Sequence, residues 1–594
     1  MILIEAYNKF KQIGWFLPGF ILYAAFPPMC EVSDVLFALA PLMWLSRQGD
    51  PRASAKRWFM SGIFFWIATL SWMPAIVKNG GPWPLVLLGW FALAAYCAAY
   101  FAVYGYLSAV YWRWVSGVGF EKFEKSEGGG EPKKCLLWLR LLGVLVVEPI
   151  LWAGLELVRS RLFGGFAWNQ LGVVPANAGF GAPAAIGGVY LLSAVVVLVN
   201  GTFAGVAERM IAGIRARWRK PFDASALSRW RSLETLLALA LVWGAYAGAG
   251  MLRDAGREDT SGTEGSADGM SLKVALIQRN FPCVFKAQEE DPYAAYSNLL
   301  VNVSLLRPDL VVLPESAMCE FGPVDRQKAQ RFARWVQVQT GGAALLAGGT
   351  RFDDGKVYNS AALYQFENEE SAVQPSISNL QPSTFNLQPS TYDKVHLVPF
   401  GEFIPGDKWF PVLQKLAPVG SCTPGAECLL ELTANHQPLT TLPFGVAICF
   451  EDTDSALMRC HAAKGARFLC FITNDSWFSH SNEALAHAWQ ATARAIETGL
   501  PVVRVGNSGV TGMITPDGQK SWLLGPNGRP LVDCSGAMLI RLNLQPSTSN
   551  LQPHLPPYVR FGDGPLFVAF LLLITSMILV KYTSNYGKHR SLSL

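Results

Sequence analysis

A chain of 594 residues exceeds one ordinary domain, and with 51% apolar residues, 16% charged and a mean hydropathy of +0.24 it is too oily to be soluble throughout. A net charge of +5 argues against an extensive nucleic-acid surface, and the positive charge sits in clusters between hydrophobic runs, where membrane topology accounts for it. Eleven cysteines without a CxxC pair and seven histidines without an HExxH pattern give neither a disulfide framework nor a zinc site, so no metal or cofactor is expected.

The N-terminal stretch NKFKQIGWFLPGFILYAAFPPMC imitates a secretory signal ending in a lipoprotein cysteine. Pro28 and Met29 stand where a cleavage site requires small residues, and more apolar segments follow, so it is read as membrane-embedded chain. A bilayer core takes about 20 apolar residues as helix. Runs near 57–79, 82–112, 137–158, 184–207, 234–252 and 564–581 have that character. Residues 13–46, broken by AFPPMCEVSD, predict two short tilted helices over 12–27 and 34–46, which makes eight spans. Basic stretches at Lys9 and Lys11, 47–57, 113–136 and 208–233 alternate with poorly charged connections at 28–33, 80–83 and 159–183. Only eight spans put every basic loop on one side, so both termini are expected in the cytoplasm and the segment after residue 253 outside it.

That segment has a soluble composition. Residues 1–253 form the expected membrane domain of about seven helices, 254–270 a polar Gly/Ser-rich linker, and 271–545 a domain in which short β-rich runs alternate with helices. KVALIQ, LVVLPES, AALLAGG, GVAICF, ARFLCFITND and VVRVGNSG are the strand candidates; 293–306, 324–339 and 482–498 are the helices. The alternation predicts a layered α/β domain. A connector at 546–563 leads to the last span and a cytoplasmic tail, 564–594. SNLQPSTFNLQPST (378–391) and LNLQPSTSNLQPH (542–554) repeat one unit. Their prolines exclude a continuous helix or central strand, and they are read as surface insertions without catalytic meaning.

Polar groups of catalytic type follow the strand-like runs. Glu315 ends PDLVVLPES, Lys394 lies in YDKVHLVPFGEFIP with Glu402, and Cys449 ends FGVAICFED. Ligand sites in α/β sheets gather at such strand ends. A free thiol is only a few per cent thiolate at neutral pH; a nearby ammonium and a helix start near 453 are expected to lower its pKa. The same ammonium can stabilise an oxyanion, and a carboxylate can move the proton. Glu, Lys and Cys thus suffice for acyl transfer through a thioester without metal or histidine.

These motifs resemble the nitrilase (carbon–nitrogen hydrolase) superfamily, with its Glu-Lys-Cys triad in this order. LPES, DKVHLVPFGEFIP, ICFED, TNDSWF, HAWQATARAIETGLPVVRVGNSGVT and YVRFGDGP, with LFGGFAWNQLG at 162–172, make the whole chain similar to the apolipoprotein N-acyltransferase family. The resemblance implies an eight-helix membrane domain carrying an α-β-β-α sandwich. It implies Glu315 as general base, Lys394 as support for thiolate and oxyanion, and Cys449 as acylated nucleophile. Glu402 and Glu451 would be supporting acids, and the Phe450 N–H an oxyanion donor. It also implies a phospholipid acyl donor, diacylglyceryl-modified apolipoproteins as acceptors, a lipid bilayer as the setting and no nucleic acid. The chain departs from the family at Phe450, where a Tyr is frequent, and near Ala287, where a Trp is frequent.

Other readings stay open at this level. Water in place of an amine would make the protein a membrane-tethered amidase or nitrilase-type hydrolase, and a silent scaffold is a third class. Cys470, in RFLCFIT, reads as a structural thiol, and Cys422 and Cys428 as either a bridge or two free thiols. His396, His480 and His487 read as hydrogen-bonded structural groups. GGAALLAGG lacks the Lys-Ser/Thr of a phosphate loop. Trp168 is either an interfacial anchor or part of a substrate portal.

Overall fold

The computed structural model describes residues 15–78, 81–121, 131–217, 225–261, 270–281, 292–318, 326–365, 389–404, 421–434, 440–478, 481–544 and 555–590. Two compact units divide the chain. One holds the residues up to Met73, Leu87–Asp254 and the chain from Phe561; the other holds Pro74–Val86 and Ala255–Arg560.

The first unit is helical: α1 (Leu17–Ala24), α2 (Ala40–Gln48), α3 (Pro51–Thr69), α4 (Trp83–Glu121), α5 (Glu131–Leu142), α6 (Glu148–Arg159), α7 (Val173–Asn177), α8 (Ala184–Arg217), α9 (Ser225–Ser261) and a C-terminal helix, Gly564–Arg590. A π-helical turn, Gly143–Val147, joins α5 to α6. Among the described residues four segments are long and apolar enough to cross a membrane: Trp83–Gly117, Cys135–Arg159, Ala184–Ile211 and Leu233–Met251. The other expected spans coincide with shorter or more polar elements. Residues 12–27 and 34–46 contain α1 and α2; 57–79 overlaps α3, whose first two turns carry Arg52, Lys56 and Arg57; 564–581 is covered by the apolar Gly564–Val580.

Local chemistry sets these boundaries. Asp50 caps α3, accepting the backbone N–H groups of Arg52 and Ala53 at 3.0 and 3.2 Å, and Pro51 stands at the first helical position where its missing N–H costs nothing. Charge inside the unit is neutralised in place: Arg47 pairs with Glu148 at 3.0 Å, both enclosed, and Glu148 also accepts from Ser108 and Trp112. The C-terminal helix packs on α6, with Phe570 filling the space that a Cβ on Gly154 would need. Helix α9 runs on to Ser261, into the stretch that composition marks as linker.

Among the described residues the second unit holds twelve strands in two six-stranded sheets, ordered β12-β1-β2-β3-β4-β5 and β11-β10-β9-β8-β7-β6. The first sheet contains β1 (Met270–Gln278), β2 (Leu310–Val312), β3 (Ala344–Asp353), β4 (Lys356–Tyr364), β5 (Ser390–Asp393) and β12 (Gly536–Leu544). The second contains β6 (Leu430–Ala434), β7 (Thr440–Ile448), β8 (Leu469–Thr473), β9 (Val502–Gly506), β10 (Gly512–Ile514) and β11 (Lys520–Trp522). The central strands β1-β2-β3 and β7-β8-β9 are parallel and the outer pairings antiparallel.

Period-two side-chain alternation builds the layers. Val446, Ile448, Cys470 and Ile472 of one sheet meet Val274, Leu276, Val312 and Leu346 of the other in a shared core. The alternate residues point outward. Ala275, Ile277, Val311 and Leu345 pack with Tyr296 and Leu300 of α10 (Pro292–Ser304) and Phe332 and Val336 of α11 (Arg326–Thr340). Ala447, Leu469 and Phe471 pack with Leu457 and Met458 of α12 (Ser455–Ala463) and Ala491 and Ala495 of α13 (Glu483–Thr498). The unit is therefore the α-β-β-α sandwich that the resemblance implies. The repeats lie outside the described residues except at their edges, where Ser390 and Thr391 open β5 and Leu542–Leu544 close β12; Ala287 lies outside them too.

Candidate active site

Three strands end just before a candidate residue. β2 stops at Val312 and Glu315 stands in the turn beyond; β5 stops at Asp393, before Lys394; β7 stops at Ile448, before Cys449. Cys449 opens a 3-10 turn, Cys449–Thr453, at φ +54, a left-handed backbone that a non-glycine residue seldom adopts. Gly348 on β3 leaves room for the Glu315 turn, since a Cβ there would stand 2.6 Å from Glu315 Cα.

A connected set of hydrogen bonds ties these ends together. Asn359 of β4 donates from Nδ2 to Glu315 Oε1 at 2.8 Å and to Glu402 Oε1 at 2.7 Å. Lys394 Nζ donates to the same Glu402 oxygen at 2.9 Å, and the Val398 N–H holds Glu402 Oε2 at 2.8 Å. The Asn474 N–H, just past β8, donates to Glu315 Oε2 at 2.8 Å. Glu451 Oε1 accepts the N–H groups of Val395 and His396 at 2.7 and 3.0 Å, its Oε2 accepts that of Ile448 at 2.8 Å, and Tyr392 donates to it as well. Glu451 thereby joins the exit of β5, which bears Lys394, to the exit of β7, which bears Cys449. Asp393, next to Lys394, is clamped by Arg351 at 2.6 Å and by Ser360 at 2.6 Å.

Burial decides the protonation states. Glu315, Lys394 and Glu451 are 6%, 1% and 0% exposed. Burial pulls the Lys394 ammonium down, but Glu402, Cys449, Glu315 and Glu451 outweigh it and hold it protonated. Burial pushes Glu315 above the usual carboxylate range, with Lys394 opposing, and pushes Glu451 up to about 7. Cys449 is pushed well above an ordinary thiol by burial and then by Glu315. Here the structure corrects the expectation of a lowered thiol pKa. The ammonium is committed to Glu402, and three carboxylates share the site with it. The helix start does not help either: α12 begins at Ser455 and is capped by Asp454, which accepts the Ala456 and Leu457 N–H groups. The resting pair is thus a thiol beside a carboxylate of raised basicity, an arrangement in which proton transfer accompanies attack.

Residues 18–202 match the family model of the apolipoprotein N-acyltransferase N-terminal domain, and residues 273–538 match that of carbon–nitrogen hydrolase. An apolipoprotein N-acyltransferase of Geobacter metallireducens is 31% identical over 514 residues, covering 84% of this chain and 84% of its own. The chain belongs to the apolipoprotein N-acyltransferase family. Relatives of the same name from Neisseria meningitidis and Pasteurella multocida are 27% and 24% identical, over 87% and 94% of this chain and 88% and 92% of theirs. Among solved structures, an amidase of the nitrilase superfamily from Nesterenkonia is similar at 17% identity and a TM-score of 0.31, over 46% of this chain and 90% of its own.

The remaining positions of this N-acyltransferase-family chain fall in different places. Phe450 is half-buried behind Cys449, and its carbonyl accepts from Thr453 Oγ1 at 2.8 Å. Trp168 lies in the helical unit, 3% exposed, stacked on Phe166 and with its carbonyl held by Arg159 at 2.9 Å. A ring enclosed by protein does not anchor at a lipid interface. Its neighbour Asn169 lines a cavity with Trp66, Phe101, Trp152, Glu156 and Arg159. Cys470 is buried between the sheets, and Cys422 and Cys428 are separate free thiols. The His396 ring pairs with Asp454 at 2.7 Å; His480 lies outside the described residues. Among the described residues no group of three or more His, Cys, Asp or Glu side chains is arranged to hold a metal ion. The sequence reading missed Asn359 and Tyr392, which sit within ordinary strands, and left Asn474 unassigned although TND marks a strand end.

Proposed function

We propose that this protein transfers a fatty acyl chain from a phospholipid to the N-terminal amine of the diacylglyceryl-cysteine of bacterial lipoproteins, through a thioester on Cys449. The observation that carries this reading is similarity to named apolipoprotein N-acyltransferases across both the helical and the α/β unit. The Glu315, Lys394 and Cys449 network supports it. In the first half-reaction Glu315 takes the Cys449 proton as sulfur attacks the ester carbonyl carbon. The carbonyl electron pair moves to oxygen, where Lys394 and the Phe450 N–H stabilise it. Collapse breaks the ester C–O bond, and Glu315 returns the proton to the departing lysophospholipid oxygen. In the second half-reaction Glu315 takes a proton from the acceptor amine as nitrogen attacks the thioester. The C–S bond breaks, and the sulfur recovers that proton. Glu402 and Glu451 hold Lys394 and the two strand ends in place, and Trp168 contributes to substrate binding.

In the proposed topology eight helices span the bacterial inner membrane, with both termini cytoplasmic and 271–545 as an extracytoplasmic catalytic domain. The linker at 254–270 and the connector at 546–563 join it to the spans. Both substrates are lipids whose reacting groups lie near the interface, which gives the membrane attachment its physical reason. Mass spectrometry of lipoprotein N-termini tests the reading. Depletion of the protein should leave diacylated species that wild type, but not Cys449→Ala, converts to triacylated ones; unchanged triacylation overturns it. Purified protein given phospholipid alone should stop at one acyl group per Cys449, whereas steady fatty-acid release would assign a hydrolase.

A further inference from the structure

Four enclosed charged side chains form a ring beside the nucleophile turn, and none of them enters the acyl-transfer chemistry. Asp452 lies in the same 3-10 turn as Cys449, and Asp475 opens a second 3-10 turn, Asp475–Phe478, directly after Asn474. Arg504 of β9 reaches both: Nη1 donates to Asp452 Oδ2 at 2.6 Å and Nη2 to Asp475 Oδ2 at 3.1 Å. His487 of α13 closes the ring from the other side, with Nδ1 2.8 Å from Asp475 Oδ1 and Nε2 3.0 Å from Asp452 Oδ1. Every one of these side chains is 0% exposed.

Valence and charge lead to the same protonation state. A neutral imidazole has a single N–H and would set a lone pair against one of the two carboxylates; the imidazolium donates from Nδ1 to Asp475 and pairs its charge with Asp452, 3.0 Å from Nε2. Two carboxylates and one guanidinium leave the ring at −1, and the imidazolium makes it neutral, as burial requires. The charged groups facing His487 are Asp452 from the nucleophile turn, Asp475 from the turn after β8 and Arg504 from β9. Glu483 lies one turn earlier on its own helix, and Phe478 packs edge-on at 5.7 Å.

Each carboxylate leads to a different part of the chemistry. Asp452 fixes the turn whose first residue is Cys449. Asp475 fixes the residue after Asn474, whose N–H holds Glu315 at 2.8 Å. Asp475 has little freedom, since a Cβ on Gly509 would stand 1.8 Å from its Oδ2. We propose that His487 is a positioning residue for acyl transfer: as an imidazolium clamped between Asp452 and Asp475, it balances their charge and keeps nucleophile and base in register. This rests on Cys449 being the nucleophile. Burial opposes the His487 charge, but Asp452 and Asp475 more than offset it and push the ring up to about 9. Asp475 is also among the groups that push the Cys449 thiol up, after burial and Glu315. Loss of the imidazolium charge therefore leaves a net −1 near the thiol, which raises its pKa further and disfavours the thiolate.

The test uses the full-length protein in detergent and the initial rate of acyl-enzyme formation from phosphatidylethanolamine bearing a fluorescent acyl chain, between pH 6 and 10. This half-reaction involves no acceptor amine, so no amine titration enters. Wild type should lose rate as pH rises through about 9. His487→Gln should lower kcat about tenfold with little change in KM and lack that alkaline fall. Asp475→Asn added to His487→Gln restores a neutral ring and should recover at least about threefold of the lost rate. A purely space-filling role would make the double variant no better than the single one, and that result overturns the proposal. So does a His487→Gln enzyme with the rate and alkaline limb of wild type. Should the variants fail to fold, a wild-type rate that stays level to pH 10 overturns it alone. A wild type that never forms an acyl-enzyme overturns the Cys449 reading and this proposal together, whereas normal acylation with an unaffected variant removes only this proposal.

Discussion

At the scale of single residues, Asn359 decides how two carboxylates share one cation. Its amide hydrogens hold Glu315 and Glu402 at 2.8 and 2.7 Å, so that Glu402 takes Lys394 and Glu315 stays available for the proposed role of base. Asn359→Ala should slow acyl-enzyme formation about 10- to 100-fold, the cost of about 1.5–3 kcal/mol for a hydrogen bond to a buried charge. A single-turnover assay checks this, and a wild-type rate would remove Asn359 from the site. The role proposed for Glu315 sets the acid side of the pH profile. Glu315 must be ionised to accept a proton, and burial raises its pKa above the ordinary 4.5. Acylation should therefore fall with decreasing pH while still above 4.5; a limb at or below that value would contradict Glu315 as the base. Glu315, Lys394 and Cys449 stood out in the sequence as polar groups that follow strand-like runs or open a loop, whereas the roles of Glu402 and Glu451 entered only through the family resemblance. Asn359 did not stand out, since VYNSAAL reads as an ordinary strand and its partners lie 44 and 43 residues away.

At the scale of elements, β7 is the support for Cys449, the proposed nucleophile. Its inward residues Phe444, Val446 and Ile448 are buried between the sheets, and Phe444 stacks on Phe468 with ring centroids 4.8 Å apart and planes at 4°. Phe444→Ala should destabilise this sandwich by about 3–5 kcal/mol through lost burial and a residual cavity. Cys470, 0% exposed in the same core, is a built-in reporter: its thiol should become reactive at lower urea in the variant than in wild type. Equal protection would mean that the sheets do not depend on this contact. The sequence marked β1, β2, β3, β7, β8 and β9 clearly, because strands covered on both faces are unbroken apolar runs. β4, β5, β6, β10 and β11, which lie toward the sheet edges, carry polar residues and carry no comparable signal.

For the whole molecule, the alternation of basic and poorly charged loops is the observation that supports the proposed orientation. Cys135 and Cys534 are both exposed thiols, and the eight-span topology puts the first beside a cytoplasmic loop and the second in the extracytoplasmic domain. A membrane-impermeant maleimide should label Cys534 in intact spheroplasts and reach Cys135 only after permeabilisation. Labelling of both, or of Cys135 alone, would overturn the orientation. Four segments are long and apolar enough to span, while the N-terminal elements are short, with α1 and α2 at 8 and 9 residues. Hydropathy alone does not settle such elements, because packing among helices can supply what their own length lacks.

The sequence by itself determined the division into an oily helical part and a β-rich part, and the order of Glu315, Lys394 and Cys449 at strand ends. Those features are local: an apolar run has a length, and a polar group appears where it stops. Only the tertiary structure decided which carboxylate holds Lys394, why Cys449 rests as a thiol, and how His487 is caught between Asp452 and Asp475. Each of those depends on burial and on partners from other strands, as when the Asn474 N–H meets Glu315 across 159 residues of chain. Electrostatics in a dry interior acts through space, and the spacing of letters along the chain does not record it.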